Sequence, residues 1–386
     1  MRVHQLHTRS FQASIKRIEK ILRIHTISFW KIYGSLLSYV LLGFSPVNAQ
    51  ITPDKTLLIN SQLTHHSNTS IIEGGTIKGS NLFHSFEQFS VLPGTTAYFN
   101  NGISIQNIFT RVTGNSISNI DGILKANGTA NFFLINPNGI IFGQHAQLNV
   151  GSSFFASTAN TIKFSDGFEF KANVSQTTPL LTISTPIGLI IGNDSGAIQV
   201  IGTGLGLITQ NSPVSPIIRN NDLKGLQVKP SKTLDLVGGD ITLEGANITA
   251  EQGRIELGSV GDGIVSLRSN GQGWILNFEQ VSSFKKISIS QQSLIDASGN
   301  AGGSITVQAK DVSLENSSIF LIQNHDLPAG SINIKASNSF QLTGASTDGK
   351  FVSLLQTESL GSGKGADINI STNNLIAQQG ASIEWH

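Results

Sequence analysis

Beyond residue 50 the apolar residues alternate with polar ones over short stretches and do not recur at helical spacing. Ile77-Lys78-Gly79-Ser80, Ile103-Ser104-Ile105, Phe132-Phe133-Leu134-Ile135, Ile140-Ile141-Phe142 and Ala197-Ile198-Gln199-Val200 are separated by Gly and Asn. Alternation with a period of two between turn residues predicts β-strands. No amphipathic helix of three or more turns is expected. Phe132 to Ile135 reads as an inward apolar strand. Pro137 fixes φ, and Asn138-Gly139 is a turn pair tolerating positive φ, so the chain turns and re-enters as Ile140-Ile141-Phe142.

Short strands at near-regular spacing fit a sandwich, a barrel or a solenoid, and repeats choose among them. A small residue, then Ser or Asp, Ile, a polar residue and an aliphatic one recur at Gly239-Asp240-Ile241-Thr242-Leu243 and Gly303-Ser304-Ile305-Thr306-Val307. The pattern returns at Gly330-Ser331-Ile332-Asn333-Ile334 and Ala366-Asp367-Ile368-Asn369-Ile370. A second strand tends to follow, as at Val312-Ser313-Leu314, Phe340-Gln341-Leu342 and Leu375-Ile376-Ala377. The last three units start at 303, 330 and 366, which are 27 and 36 residues apart. Such spacing marks a solenoid, in which no coil buries its inward side chains alone and stacking does it for all. The expected fold is all-β, a right-handed parallel β-helix with an N-terminal capping and secretion region. Pro and Ser concentrate at Asn211 to Pro216, the best candidate joint between a non-repetitive region, 50–202, and a repeat region, 203–386. The last unit stops at Glu384-Trp385-His386, inside a repeat. The expectation is a shortened chain with an uncapped coil that exposes the inward-type residues Leu375 and Ile376.

Composition supports this picture. Charged residues make up 13% of the chain, against about 25% in typical soluble domains, and there are 40 Gly and no Cys. A chain without Cys cannot be locked by a premature disulfide while crossing oxidising space. The first 49 residues carry Arg2, Arg9, Lys16, Arg17, Lys20, Arg23 and Lys31 with one acid, Glu19. An apolar stretch from Ile32 to Phe44 follows, then Val47-Asn48-Ala49 with small residues before a cut. This is the pattern of a signal peptide cleaved between Ala49 and Gln50; the apolar stretch is short for a membrane span. Cleavage lowers Lys plus Arg from 25 to 18 and Asp plus Glu from 24 to 23, giving a net charge near −5. A chain of that charge lacks the basic footprint that nucleic-acid binding needs.

The densest motifs run from Asn81 to Phe155. They are Asn81-Leu82-Phe83-His84-Ser85-Phe86-Glu87-Gln88-Phe89-Ser90-Val91, Asn107-Ile108-Phe109-Thr110-Arg111-Val112-Thr113-Gly114, Ile120-Asp121-Gly122-Ile123-Leu124, and Ala130 to Gly143 with its Asn136-Pro137-Asn138-Gly139-Ile140 core. In this order they resemble the TPS secretion domain of filamentous-haemagglutinin-like two-partner-secretion exoproteins, and look most like the versions found in filamentous cyanobacteria. The resemblance covers roughly Gln50 to Ile190. It implies export through a dedicated outer-membrane β-barrel transporter, and a product that is secreted or held at the cell surface as an adhesin or structural exoprotein. A host-cell or extracellular polysaccharide surface is then a conceivable partner. It also implies that secretion recognition involves Asn136, Pro137, Asn138, Gly139, Ile140 and Gly143, with Asn107 and Arg111 as further candidates. The family's other motif, Asn-Pro-Asn-Leu, is absent. Asn107 to Gly114 stands near its place, and no role attached to that motif transfers.

No catalytic constellation is expected, and no cofactor or metal. A polysaccharide lyase on a β-helix needs carboxylates grouped on one face with a cation nearby; Asp121, Asp166 and Glu169 are scattered among turns. His65-His66 lacks a second ligand pair and reads as solvated. Gly202-Thr203-Gly204-Leu205-Gly206 lacks the Lys of a phosphate loop. His84, between Phe83 and Phe86, reads as a packed or capping side chain. Two rivals to a non-enzymatic exoprotein remain: a carbohydrate-active β-helix enzyme, and a sugar-binding module using outward aromatics.

Overall fold

The computed structural model describes residues 51–174, 181–204, 207–209, 217–219, 224–271, 273–346 and 349–386. The signal-peptide expectation, with its cut between Ala49 and Gln50, lies outside these residues, as do the Asn211–Pro216 joint and part of the Gly202–Gly206 run.

The described residues contain no helix. The chain winds as a parallel β-helix, as the sequence leads one to expect, and three faces are stacked in register. On the first face Leu82, Ile108, Phe132, Phe154, Leu234, Ile255, Ile305, Ile332 and Ile368 are successive partners across nine strands. On the second, Ile140, Ile198, Ile241, Ile287, Val312, Phe340 and Leu375 are successive partners. The third face is two sheets, one over Ser61–Asn149 and one from Leu226–Gln227 to Ser382–Trp385. Inward side chains of all three faces form one continuous core from Ile51 to Ala366. Each parallel rung pairs its backbone with the coils on either side, which is how the polar backbone is satisfied around an apolar interior.

Register corrects three sequence expectations. Ile241 partners Ile287 on the second face, whereas Ile305, Ile332 and Ile368 partner one another on the first. The Gly239 copy therefore opens a different face from the other three. Ile376 stacks beside Gln341, an exposed position, while Leu375 stacks on buried Phe340. Only Leu375 is of inward type, and it is half exposed on the last coil. Third, only Phe132 and Leu134 of the Phe132–Ile135 strand point into the helix. Phe133 and Ile135 point out, into a second core.

That second core is built on outward phenylalanines. Phe83, Phe109, Phe133 and Phe155 are register neighbours, and their rings stack with centroids 5.2, 4.8 and 5.4 Å apart. An antiparallel sheet outside the helix covers them. It comprises Thr161–Phe164, Glu169–Lys171, Pro186–Ile191, the distal half of Arg254–Ser269, and Trp274–Phe284. Ile162, Phe164, Phe170, Leu189, Val265 and Trp274 pack against the stack. These outward aromatics are buried and offer no sugar platform. At the N-terminal end Ile51–Pro53 and Thr76–Lys78 run antiparallel to Asn81–Phe89, which closes the first rung.

Candidate secretion site

Asn136 to Gly143 is the corner that carries the chain from the first face (Asn131–Ile135) to the second (Ile140–Phe142). Asn136 is fully buried there. Its Nδ2 donates to the Ser116 carbonyl and to Ser118 Oγ, both at 2.9 Å. Its Oδ1 accepts from the backbone N–H and the Nδ2 of Asn138, both at 3.0 Å. Asn138 Nδ2 also donates to the Gly114 carbonyl at 2.7 Å. Toward the next coil, Gly196 N–H donates to the Pro137 carbonyl at 2.7 Å and Ile140 N–H to the Ala197 carbonyl at 3.0 Å. The corner is thus sewn to the coil on each side, which is more than a local turn requires.

Of the two turn residues only Gly139 takes a positive φ, +130°. Asn138 is needed for its amide. Gly143 is needed for space: a Cβ there would lie 2.3 Å from Asp121 Oδ1. Asp121 accepts from His145 N–H at 2.7 Å and so holds the following bend. Asn136, Gly139 and Ile140 are buried, whereas Pro137, Asn138 and Gly143 reach the surface in part.

Asn107 and Arg111 lie on one strand but serve different neighbours. Asn107 is the middle of an amide ladder: Asn131 Nδ2 donates to Asn107 Oδ1, and Asn107 Nδ2 donates to Asn81 Oδ1, each at 3.0 Å. Asn81 Nδ2 in turn donates to the Thr182 and Ser184 carbonyls, at 3.2 and 2.9 Å. Arg111 is fully buried. Its Nε donates to Ser85 Oγ at 2.8 Å, Nη1 to the Lys171 carbonyl at 2.6 Å, and Nη2 to Thr56 Oγ1 at 2.8 Å. Its guanidinium lies 4.4 Å from the Phe170 ring centroid. Beside it Asp54 accepts from Ser85 Oγ and Thr113 Oγ1, both at 2.6 Å, and from Thr56. Burial pushes the Asp54 carboxyl upward, but these hydrogen bonds outweigh it and leave the group below the usual carboxylate range. Burial draws Arg111 down to about 10, against the pull of Asp54, and the guanidinium stays charged at neutral pH. One side chain thereby joins the N-terminal segment, the first face and the outer sheet.

Sequence reasoning missed Asp54 and Thr56, although Asp54-Lys55-Thr56 carries a recognisable signal, an Asp that bonds its own chain two residues on. It also missed a carboxylate pair. Asp235 and Glu256 are register partners, both buried, on the outward side of the first face. The remaining candidates are placed apart from one another. His84 is buried, with Nδ1 2.9 Å from Ser61 Oγ and its ring edge-on to Phe99. His65 and His66 sit on an exposed hairpin strand. Glu169 pairs with Lys171 at 3.0 Å, and Asp166 accepts from Thr182. Among the described residues no three His, Cys, Asp or Glu side chains are grouped to hold a metal.

Residues 49–310 match the family described as the TPS secretion domain, and the chain belongs to that family. It is accordingly an exoprotein of a two-partner secretion system. The HMW1 secretion domain from Haemophilus influenzae, known from a crystal structure, is similar over 87% of this chain and 99% of its own, at 16% identity and a TM-score of 0.38. No curated protein matches.

Proposed function

We propose that this chain is the exported member of a two-partner pair, cleaved between Ala49 and Gln50 and passed in extended form through a dedicated outer-membrane β-barrel transporter. The folded product acts, without catalysis, as a surface-attached or released adhesin or structural exoprotein. The observation that carries the reading is the family match over residues 49–310. The burial of Asn136, Gly139, Ile140 and Arg111 adds to it. Side chains the folded protein hides are accessible to a transporter only before folding, so recognition falls on the extended chain. Closing the rungs beyond the outer membrane then opposes return, because each added coil buries apolar side chains and pairs another row of backbone groups.

The rival enzyme reading needs carboxylates that a polymer can reach. The pair the fold does bring together, Asp235 and Glu256, is shut away from solvent. The test is to express the chain with and without its transporter, taken from the neighbouring gene, and to compare protein in the medium with protein in the periplasm. Transporter-dependent appearance in the medium, with an N-terminus at Gln50, is expected. Equal release without the transporter refutes the reading.

A further inference from the structure

The Asp235–Glu256 pair has no part in the secretion corner, and its surroundings are unusual for two acids. Leu234, Leu236, Ile255 and Leu257 point into the helix, so Asp235 and Glu256 point out, one rung apart. Phe155 precedes them in the same column and Thr306 follows. The strand Trp274–Phe284 passes over this face. Gly273 stands against Thr233, and Phe278 against Gly258, with the acids between these two points. The buried residues it lays down are Trp274 and Leu276. Neither oxygen of Asp235 has a hydrogen-bond partner among the described residues. Glu256 has one cation, Arg254, at 3.2 Å.

Among the described residues no other countercharge reaches the pair. Phe154–Ser157 and Pro186–Ile191 carry no ionisable group. On the covering strand Glu279 is exposed, as is Arg268 on the strand it pairs with. Asp262 is taken by Ser282, and Asp311, on Ser304–Glu315, by Asn338 and Ser339. Lys232, just before Asp235 on the chain, lines a cleft at the mouth of this face with Asn107 and Asn131. One guanidinium therefore serves two carboxylates a rung apart in an apolar enclosure, and like charges so placed do not both persist. Burial pushes Glu256 up to about 7, with Arg254 pulling against it. Burial and the charge of Glu256 push Asp235 well above the usual carboxylate range, again against Arg254.

We propose that closure of this rung is coupled to proton uptake: the extended chain carries both acids ionised, and the outer hairpin shuts over them only when the pair has taken up a proton. The pair's contribution to folding is then favoured by acid and opposed by alkali. The folded pair holds protons that the unfolded chain has released above its ordinary carboxylate range. The pair's contribution is therefore fully present below the ordinary carboxylate range and is lost progressively as pH rises from there through about 7. The consequence for export, that external pH sets how firmly the far side holds the chain, rests on the two-partner reading. The proton coupling itself does not.

The test uses the purified exported chain and its Asp235→Asn and Glu256→Gln variants, unfolded in denaturant between pH 5 and 8. His84 contributes the opposite slope below about 6.5, and setting each variant's profile against the parent's removes it. The ratio of the parent's folding equilibrium constant to each variant's should fall with rising pH by up to about tenfold per unit. A second measurement covers a variant that fails to fold: the infrared carbonyl band of a protonated carboxylic acid in the parent at pH 7.5. A parent-to-variant ratio that does not change with pH, without that band, overturns the proposal. Export assayed in parallel at several external pH values separates the two readings, since the denaturation arm involves no transporter.

Discussion

Replacing Arg111 by Met should unfasten three parts of the molecule at once. Met keeps the length and apolar character of the Arg stem and removes the guanidinium. The lost contacts are Ser85 Oγ at 2.8 Å, the Lys171 carbonyl at 2.6 Å, Thr56 Oγ1 at 2.8 Å, and the Phe170 ring face. Asp54 then stays in place with its hydroxyl donors but without its countercharge. Breaking a buried ion pair by removing one partner typically costs about 3–5 kcal/mol. Asp54 is only partly enclosed and keeps its bonds from Ser85, Thr113 and Thr56, so the low end, about 3 kcal/mol, is the expected value. At about 1.4 kcal/mol per tenfold, that is roughly a hundredfold in the folding constant. The assay is equilibrium denaturation of the exported chain combined with hydrogen exchange. The loss should concentrate in Ile51–Thr56 and Glu169–Lys171, the segments Arg111 ties down, and spare Ser304–Glu315, far along the helix. A loss below about 1 kcal/mol, or one spread evenly over all rungs, refutes the account of Arg111 as the fastening between cap, helix and outer sheet.

Three further outcomes are expected. Asn136→Ala with Asn138→Ala should lower the amount in the medium far more than the amount expressed, because the corner loses its stitches to Ser116, Ser118 and Gly114; equal export by mutant and parent reduces the motif to an ordinary corner. Burial draws His84 down to about 3, so it stays neutral in the fold. The unfolded chain binds its proton below about 6.5, and stability should fall as pH drops through that window by about 1.4 kcal/mol per unit. His84→Gln should remove that share, read as a difference between the two denaturation profiles. Gly143→Ala should displace the Asp121 carboxylate and loosen the bend at His145, seen as faster exchange of the His145 amide with little change in the first face.

Much of the architecture is legible in the chain alone. Alternating apolar stretches between Gly and Asn specify β-strands, and the recurrent Ile units from Gly303 onward specify coils, because each inward position must meet its like above and below. The Asn-Pro-Asn-Gly corner is readable too, since Pro137 and Gly139 restrict the backbone locally. What the corner's amides are for is not readable. Asn136 and Asn138 reach Ser116, Ser118 and Gly114, partners about twenty residues away that only winding brings alongside.

Period-two alternation fixes which residues share a side of a strand, but not whether that side meets solvent. Phe83, Phe109, Phe133 and Phe155 announce themselves as apolar on a face that a solenoid would leave wet. Asp235 and Glu256 sit in Leu-Asp-Leu and Ile-Glu-Leu settings that do not tell what lies outside them. The outer sheet, from Thr161 to Phe284, buries both sets by covering that face along several coils. The register offset of Ile241 has the same origin, since a short repeat can open any face and only the pairing of Ile241 with Ile287 assigns it. Sequence determined the strands, the coil and the corner, because local backbone preference and burial period act over a few residues. Tertiary structure alone decided what lies against the outside of the coil, and with it which charges are buried, because that contact joins segments well over a hundred residues apart, as Phe133 and Trp274 are.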